Sequence, residues 1–338
     1  MSYDAAVCVG ASQTARCYSR FGMEIHMKKG KLAGGAWVTM VTPFRNGKID
    51  YPATEKLVEW YVKNGVDGIF AVCQSSEMFY LDLEEREQLG RFVVEKAAGR
   101  VPVVVSGHIS KKEEDQIEEI SRMAKTGADA VVLVTNRLAL EEEGDDILKK
   151  RLERLLEAVP ECVFGLYECP YPYKRLLTPE LLQFCASTGR IGFLKDTCCD
   201  EEQIRKKLEA IAGTDFQLFN ANTATLLQSL KDGAAGYCGV MANYHPGLYH
   251  WLVRNKDEAQ ADAVQAFATV CSWVERRQYP RNAKYHLRMC GVDMTLECRK
   301  TFADEWGRLD ETEIQALYRI NREFFTFGKA GYCYHHHF

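Results

Sequence analysis

The sequence predicts an α/β protein, a closed (β/α)8 barrel with a C-terminal three-helix extension. Three observations lead there. Eight short apolar runs recur between residues 34 and 255. Amphipathic stretches with apolar residues at i, i+3 and i+4 separate them. After residue 255 the apolar runs stop while the helical period continues.

In chain order the runs are "GAWVTMVTPF" from Gly35, "GVDGIFAVC" from Gly65, "VPVVVSGHI" from Val101 and "ADAVVLVT" from Ala128. Then come "VFGLYECP" from Val163, "IGFLKDT" from Ile191, "FQLFNANT" from Phe216 and "GAAGYCGV" from Gly233. Runs that are apolar throughout suit strands buried on both faces, the condition of a parallel sheet covered by helices. The intervening "DLEEREQLGRFVVEKAAG" and "KKEEDQIEEISRMAKTG" have helical periodicity, and Gly65, Gly99 and Gly127 stand where left-handed C-caps are expected. Eight such units match a TIM barrel in number and length. An open doubly wound sheet is the competitor, but neither G-x-G-x-x-G nor G-x-x-x-x-G-K-[ST] occurs after any run.

Beyond residue 255, "DEAQADAVQAFATVCSWVERR", "PRNAKYHLRMCG" and "DETEIQALYRINREFFTFG" read as three helices. The expected organisation is a poorly ordered extension over 1–31, the barrel over 32–255, a helical extension over 256–330 and a tail over 331–338. Met23 and Met27 are candidate natural starts.

The 43 basic and 47 acidic residues leave a net charge of −4, which gives no electrostatic case for nucleic acid or an anionic membrane. No run reaches the roughly 18 apolar residues of a membrane span. The first thirty residues contain no continuous apolar h-region, so no secretory signal is expected and a cytoplasmic location is. Thirteen cysteines are scattered without any C-x-x-C spacing, which suits reduced thiols serving as small core hydrophobes. The terminal "YCYHHHF" has consecutive histidines that do not converge as i, i+4 pairs do, so it reads as a tail, and no metal site is expected.

Two runs end in a reactive side chain: "VFGLY" in Tyr167 and "IGFLK" in Lys195. In a barrel, chemistry sits at the carboxyl ends of the strands, so adjacent strands five and six would aim both groups into one mouth. Burial favours the neutral amine of a lysine. A neutral amine attacks a ketone to form a Schiff base, an electron sink, and a nearby phenol can move the protons. Taken singly, the residues read more readily as a lysine snorkelling to the rim and a tyrosine that packs.

Together these features resemble the dihydrodipicolinate synthase / N-acetylneuraminate lyase family of class I aldolases, over about residues 32–330. "GAWVTMVTPFRNGKIDYPATEKLVEWYVKNGVDGIF" resembles the family's first strand, T-P-F and first helix; "YECP" stands for its Y-N-x-P; "GFLKD" stands for its G-x-K-[DE]. The resemblance implies that Lys195 forms the Schiff base and Tyr167 shuttles protons. It implies a 2-keto acid and an aldehyde as substrates, no cofactor, and a homo-oligomer, dimer or tetramer. The family's G-T-T-G-E loop appears as "CQSSE", which assigns Gln74, Ser75 and Ser76 to the keto acid's carboxylate. "GAAGYCGVMAN" resembles the glycine-rich eighth strand, which assigns Cys238 and Gly239 to the same mouth.

Departures bear on the second substrate. Gln74 replaces a threonine of the hydroxyl relay, and "TNRL" replaces T-P-Y-Y, so Arg137 stands in place of a tyrosine and becomes a candidate reader of an anionic or hydroxylated group. Pro172 stands where the synthase carries the arginine that grips the second substrate's carboxylate, with Lys174 and Arg175 close by. The expected activity is therefore a Schiff-base lyase or aldolase that is not a true dihydrodipicolinate synthase. The alternatives are a 2-keto-3-deoxy sugar acid dehydratase using the same imine, and a catalytically idle relative that binds a keto acid.

Overall fold

All eight apolar runs form parallel strands of one closed barrel. The computed structural model describes residues 32–160 and 162–327, and before them the backbone of a short antiparallel pair, Cys17–Tyr18 with Glu24–Ile25. Apart from that pair, the extension expected over 1–31, with Met23 and Met27, and the tail over 331–338 lie outside the described residues.

The barrel strands are β1 (Gly35–Thr39), β2 (Gly68–Ala71), β3 (Val103–Val105), β4 (Ala130–Val134), β5 (Phe164–Tyr167), β6 (Ile191–Asp196), β7 (Gln217–Asn220) and β8 (Gly236–Gly239). Each pairs with its successor, and β8 closes on β1. The helices between and after them are α1 (Tyr51–Lys63), α2 (Leu83–Ala97), α3 (Glu113–Ala124), α4 (Asp145–Ala158), α5 (Pro179–Ser187), α6 (Glu201–Ala210), α7 (Leu226–Lys231) and α8 (Pro246–Arg254). Short polar side chains start several of them. Asp50 caps α1 by accepting from Ala53 N at 3.0 Å, and Asp82 and Glu85 form a reciprocal capping box at α2. Gly65, Gly99 and Gly127 all have positive φ, as expected of residues that end helices α1 to α3.

Large aromatic rings fill the barrel interior. Trp37 of β1 and Phe193 of β6 meet Phe219 of β7 edge to face, with centroids 5.5 and 6.0 Å apart. Glycines on neighbouring strands make the room. A Cβ on Gly68 would lie 2.3 Å from the Trp37 ring, and one on Gly165 would lie 2.2 Å from Phe193 Cζ. These rings give the barrel interior an apolar floor.

Three helices follow the barrel: α9 (Ala261–Cys271), α10 (Arg281–Met289) and α11 (Arg308–Phe327), with a 3-10 turn, Ser272–Arg276, after α9. They are anchored to the barrel through a buried ion pair. Lys284 of α10, fully buried, donates to Glu77 at 2.8 Å, and the backbone N–H groups of Arg299 and Lys300 donate to the same carboxylate. No described helix is long and apolar enough to cross a membrane.

Candidate active site

A cavity of about 420 Å³ opens at the carboxyl ends of the strands. Lys195 and Tyr167 both line it, and both are almost wholly buried, at 5% and 3% exposure. Their alignment depends on a bulge. Ile191 pairs with Phe164, but Phe193 pairs with Gly165, so one extra residue, Gly192, enters β6. That shift makes Lys195 the direct Cα partner of Tyr167. The Lys195 amine then lies 3.9 Å from the Tyr167 ring centroid and 5.6 Å from that of Phe70. Burial pushes the Tyr167 phenol well above its ordinary range, and the neighbouring Cys169 and Cys73 add to the rise. The phenol therefore stays protonated at neutral pH, and it donates to Gln74 Oε1 at 3.1 Å.

The loop after β2 supplies the polar wall. Ser75 Oγ donates to Thr39 Oγ1 at 3.1 Å, and both Gln74 and Ser75 line the cavity. Ser76 does not. Its hydroxyl turns to the barrel wall and donates to Met40 O at 2.6 Å, so the hydroxyl holds the loop rather than a ligand. Gly239 lines the cavity, whereas Cys238 sits beneath it, beside the Lys195 charge but outside the lining. The alternation of strand side chains explains this: Tyr237 stacks outward on Tyr249 of α8, which turns Cys238 into the barrel layer below the mouth.

Arg137 is also displaced from its expected place. "TNRL" forms a helical turn, Thr135–Leu138, and the Arg137 guanidinium lies over the Phe79 ring, 5.6 Å from its centroid. Phe79 lines the cavity and Arg137 stands behind it. The turn acts on backbone instead: Asn136 Nδ2 donates to the carbonyls of Cys169, Tyr171 and Tyr173 and so shapes the loop after β5. Arg175 is held by Leu140 O, Glu143 O and Asp145, away from the mouth, while Lys174 lines the cavity.

On the helix side of the barrel wall, behind Tyr167 and Lys195, lies a second ionic cluster. Glu168 and Asp196, the residues after Tyr167 and Lys195, are both fully buried and both accept from Lys207 of α6, at 2.6 and 2.5 Å. Glu168 also accepts from Leu177 N at 2.8 Å and Thr197 N at 3.0 Å, which ties the ends of β5 and β6 together. Burial and the nearby Asp196 raise the Glu168 carboxyl above its ordinary value, while Lys207 opposes the rise.

The C-terminal extension roofs the cavity with Glu275, Tyr279, Pro280 and Lys300. Sequence reasoning assigned these residues to an appendage. The helical period that identified the segment is silent about what its turns face. The ten cysteines whose side chains are described are all free, and no group of three or more His, Cys, Asp or Glu among the described residues is placed to hold a metal.

A closed parallel barrel with an amine and a phenol side by side at the ends of two strands is the arrangement of a class I aldolase or lyase, and the protein is an enzyme of that class. It belongs to the dihydrodipicolinate synthetase family, whose model matches residues 32–305. The 4-hydroxy-tetrahydrodipicolinate synthase of Jannaschia sp. (strain CCS1) is 30% identical over 63% of this chain and 72% of its own length. Among solved structures, dihydrodipicolinate synthase from Aquifex aeolicus superimposes with a TM-score of 0.74 at 21% identity, covering 86% of this chain and 98% of that one. The chloride-inhibited dihydrodipicolinate synthase of Acinetobacter baumannii, complexed with pyruvate, gives 0.76 at 23% identity over 85% and 98%.

Proposed function

We propose that the enzyme joins Lys195 to pyruvate or a related 2-keto acid as an imine, and cleaves or forms the neighbouring C–C bond with Tyr167 as the proton shuttle. The observation that carries this reading is the pairing of Lys195 with Tyr167 above an apolar floor, with the amine 3.9 Å from the phenol ring centroid. The iminium takes up the electron pair released when the C–C bond breaks; in the forming direction the phenol gives its proton to the aldehyde oxygen, and in the cleaving direction the phenolate takes the hydroxyl proton. Gln74, Ser75 and the backbone around Gly239 are suited to hold the keto acid's carboxylate, since they present amide and hydroxyl groups to the same cavity. The pyruvate complex of the Acinetobacter baumannii relative supports the choice of keto acid.

The second substrate differs from that of the synthases in this reading. Pro172 offers no side-chain donor, Arg175 is committed elsewhere, and Lys174 is a point charge rather than a planar fork. A sugar-acid or aryl aldehyde suits this mouth better than aspartate semialdehyde. A cytoplasmic homo-oligomer, dimer or tetramer, belongs to the same proposal.

The test is borohydride trapping with a panel of 2-keto acids, followed by mapping of the modified peptide. The label is expected on Lys195 and is expected to vanish in Lys195→Ala. Label on Lys174, or on no lysine, overturns the reading. Product analysis separates aldol cleavage, which splits the carbon skeleton, from dehydration, which keeps it.

A further inference from the structure

We infer that Glu275, carried over the cavity by the C-terminal extension, is a second acid–base residue of the site, the one that serves the Lys195 imine itself. The inference rests on the Schiff-base reading and goes beyond it, because it assigns a catalytic role outside the barrel.

Two carboxylates line the cavity, and they differ in commitment. Glu77 is fully engaged by Lys284 and by the N–H groups of Arg299 and Lys300. Glu275 is half-buried in the cavity wall and receives no hydrogen bond from any described residue. It lines the same cavity as the Lys195 amine, whose positive charge acts on it. An uncommitted carboxyl group in the cavity that holds the Lys195 amine is available to a ligand bound there.

The proton path from Tyr167 makes the need concrete. Its phenol ends on the Gln74 amide oxygen, an acceptor that cannot pass a proton onward as a hydroxyl can. The phenol itself stays protonated at neutral pH. Burial pushes the Glu275 carboxyl up to about 7, against the opposing charges of Lys195 and Arg276. The other titratable groups that sense Glu275 are Tyr237, Tyr244, Tyr249 and Cys199, all themselves raised by burial. Lys174 and Lys300 line the same cavity. Glu275 is thus the group placed to exchange a proton near neutrality.

The chemistry balances as follows. The Lys195 amine adds its lone pair to the keto carbon, the carbonyl π pair moves to oxygen, and one N–H proton passes to that oxygen to give the carbinolamine. Glu275 gives its carboxyl proton to the carbinolamine hydroxyl. The C–O bond breaks, water leaves, and the nitrogen lone pair closes the C=N bond of the iminium. The Glu275 carboxylate left behind balances the iminium charge and regains a proton from water at the mouth.

The experiment follows the rate of pyruvate–borohydride labelling of the full chain from about pH 5 to about pH 9 for wild type, Glu275→Gln and Glu275→Asp. Wild type is expected to lose rate as pH rises through about 7. Glu275→Gln is expected to label Lys195 roughly 10²-fold or more slowly, without that limb. Glu275→Asp, which keeps a carboxyl, should retain the limb and part of the rate. Equal rates and profiles in wild type and Glu275→Gln, with Lys195 labelled in both, overturn this inference alone. Absence of label in wild type overturns the imine reading with it. A melting curve for each variant separates loss of fold from loss of the proton.

Discussion

Tyr167 and Lys195 are Cα partners across parallel strands β5 and β6, and the lysine amine lies 3.9 Å from the centroid of the tyrosine ring. The ring packs against the amine, so the contact orients the side chain before substrate arrives. The phenol oxygen is left to hydrogen-bond elsewhere, and it does so with Gln74. Packing and the proposed proton transfer are therefore separable in one residue.

Tyr167→Phe tests that separation. The ring and its contact with Lys195 remain while the proton is removed. Turnover should fall by roughly 10²–10⁴-fold, the usual loss of general acid–base help, while borohydride labelling of Lys195 persists. Near-full turnover would leave Tyr167 as a packing residue.

Ser75→Ala should weaken keto-acid binding more than it slows chemistry. A hydrogen bond to a charged group contributes about 1.5–3 kcal/mol, so KM for the keto acid should rise roughly 10- to 100-fold with kcat little changed. A fall in kcat with unchanged KM would move Ser75 from binding to catalysis.

Aldehyde preference follows from Pro172. Condensation of pyruvate with aspartate semialdehyde should be slower than with sugar-acid or aryl aldehydes, because no arginine fork meets the semialdehyde's carboxylate. Turnover with each aldehyde at matched concentrations decides it. Preferred use of aspartate semialdehyde would restore the synthase activity of the relatives.

Lys207→Met removes the cation between Glu168 and Asp196 and leaves two carboxylates buried side by side. Breaking a buried pair in this way costs about 3–5 kcal/mol, to be read from urea unfolding. The same substitution should slow turnover in whatever fraction folds, since Glu168 and Asp196 follow the reactive pair directly.

Stability should also respond to pH through Glu275. Its folded-state value is raised from 4.5 to about 7, so the folded chain holds a proton there that the unfolded chain has released. That contribution is fully present below about 4.5 and is lost as pH rises through about 7. Glu275→Gln should flatten this slope and raise stability above neutrality by on the order of 1 kcal/mol. Thermal melts of the two proteins across this window measure it.

The strands, the helices between them and the placing of Tyr167 and Lys195 at the ends of two of those strands were legible in the chain alone, because each depends on local pattern. Continuous apolar runs mark strands buried on both faces, helical periods fill the gaps, and Gly65, Gly99 and Gly127 end helices where a left-handed residue is needed. The order of the elements then put Tyr167 and Lys195 on neighbouring strands. Tertiary structure alone decided their register, since an unbulged β6 would set Lys195 one residue out of step with Tyr167. It alone laid Arg137 against Phe79 and turned Ser76 to the wall. It also brought Glu275 and Lys300 over a cavity whose other walls lie far away in sequence. Periodicity tells which face of an element is buried; what that face meets depends on packing between segments that share no local pattern.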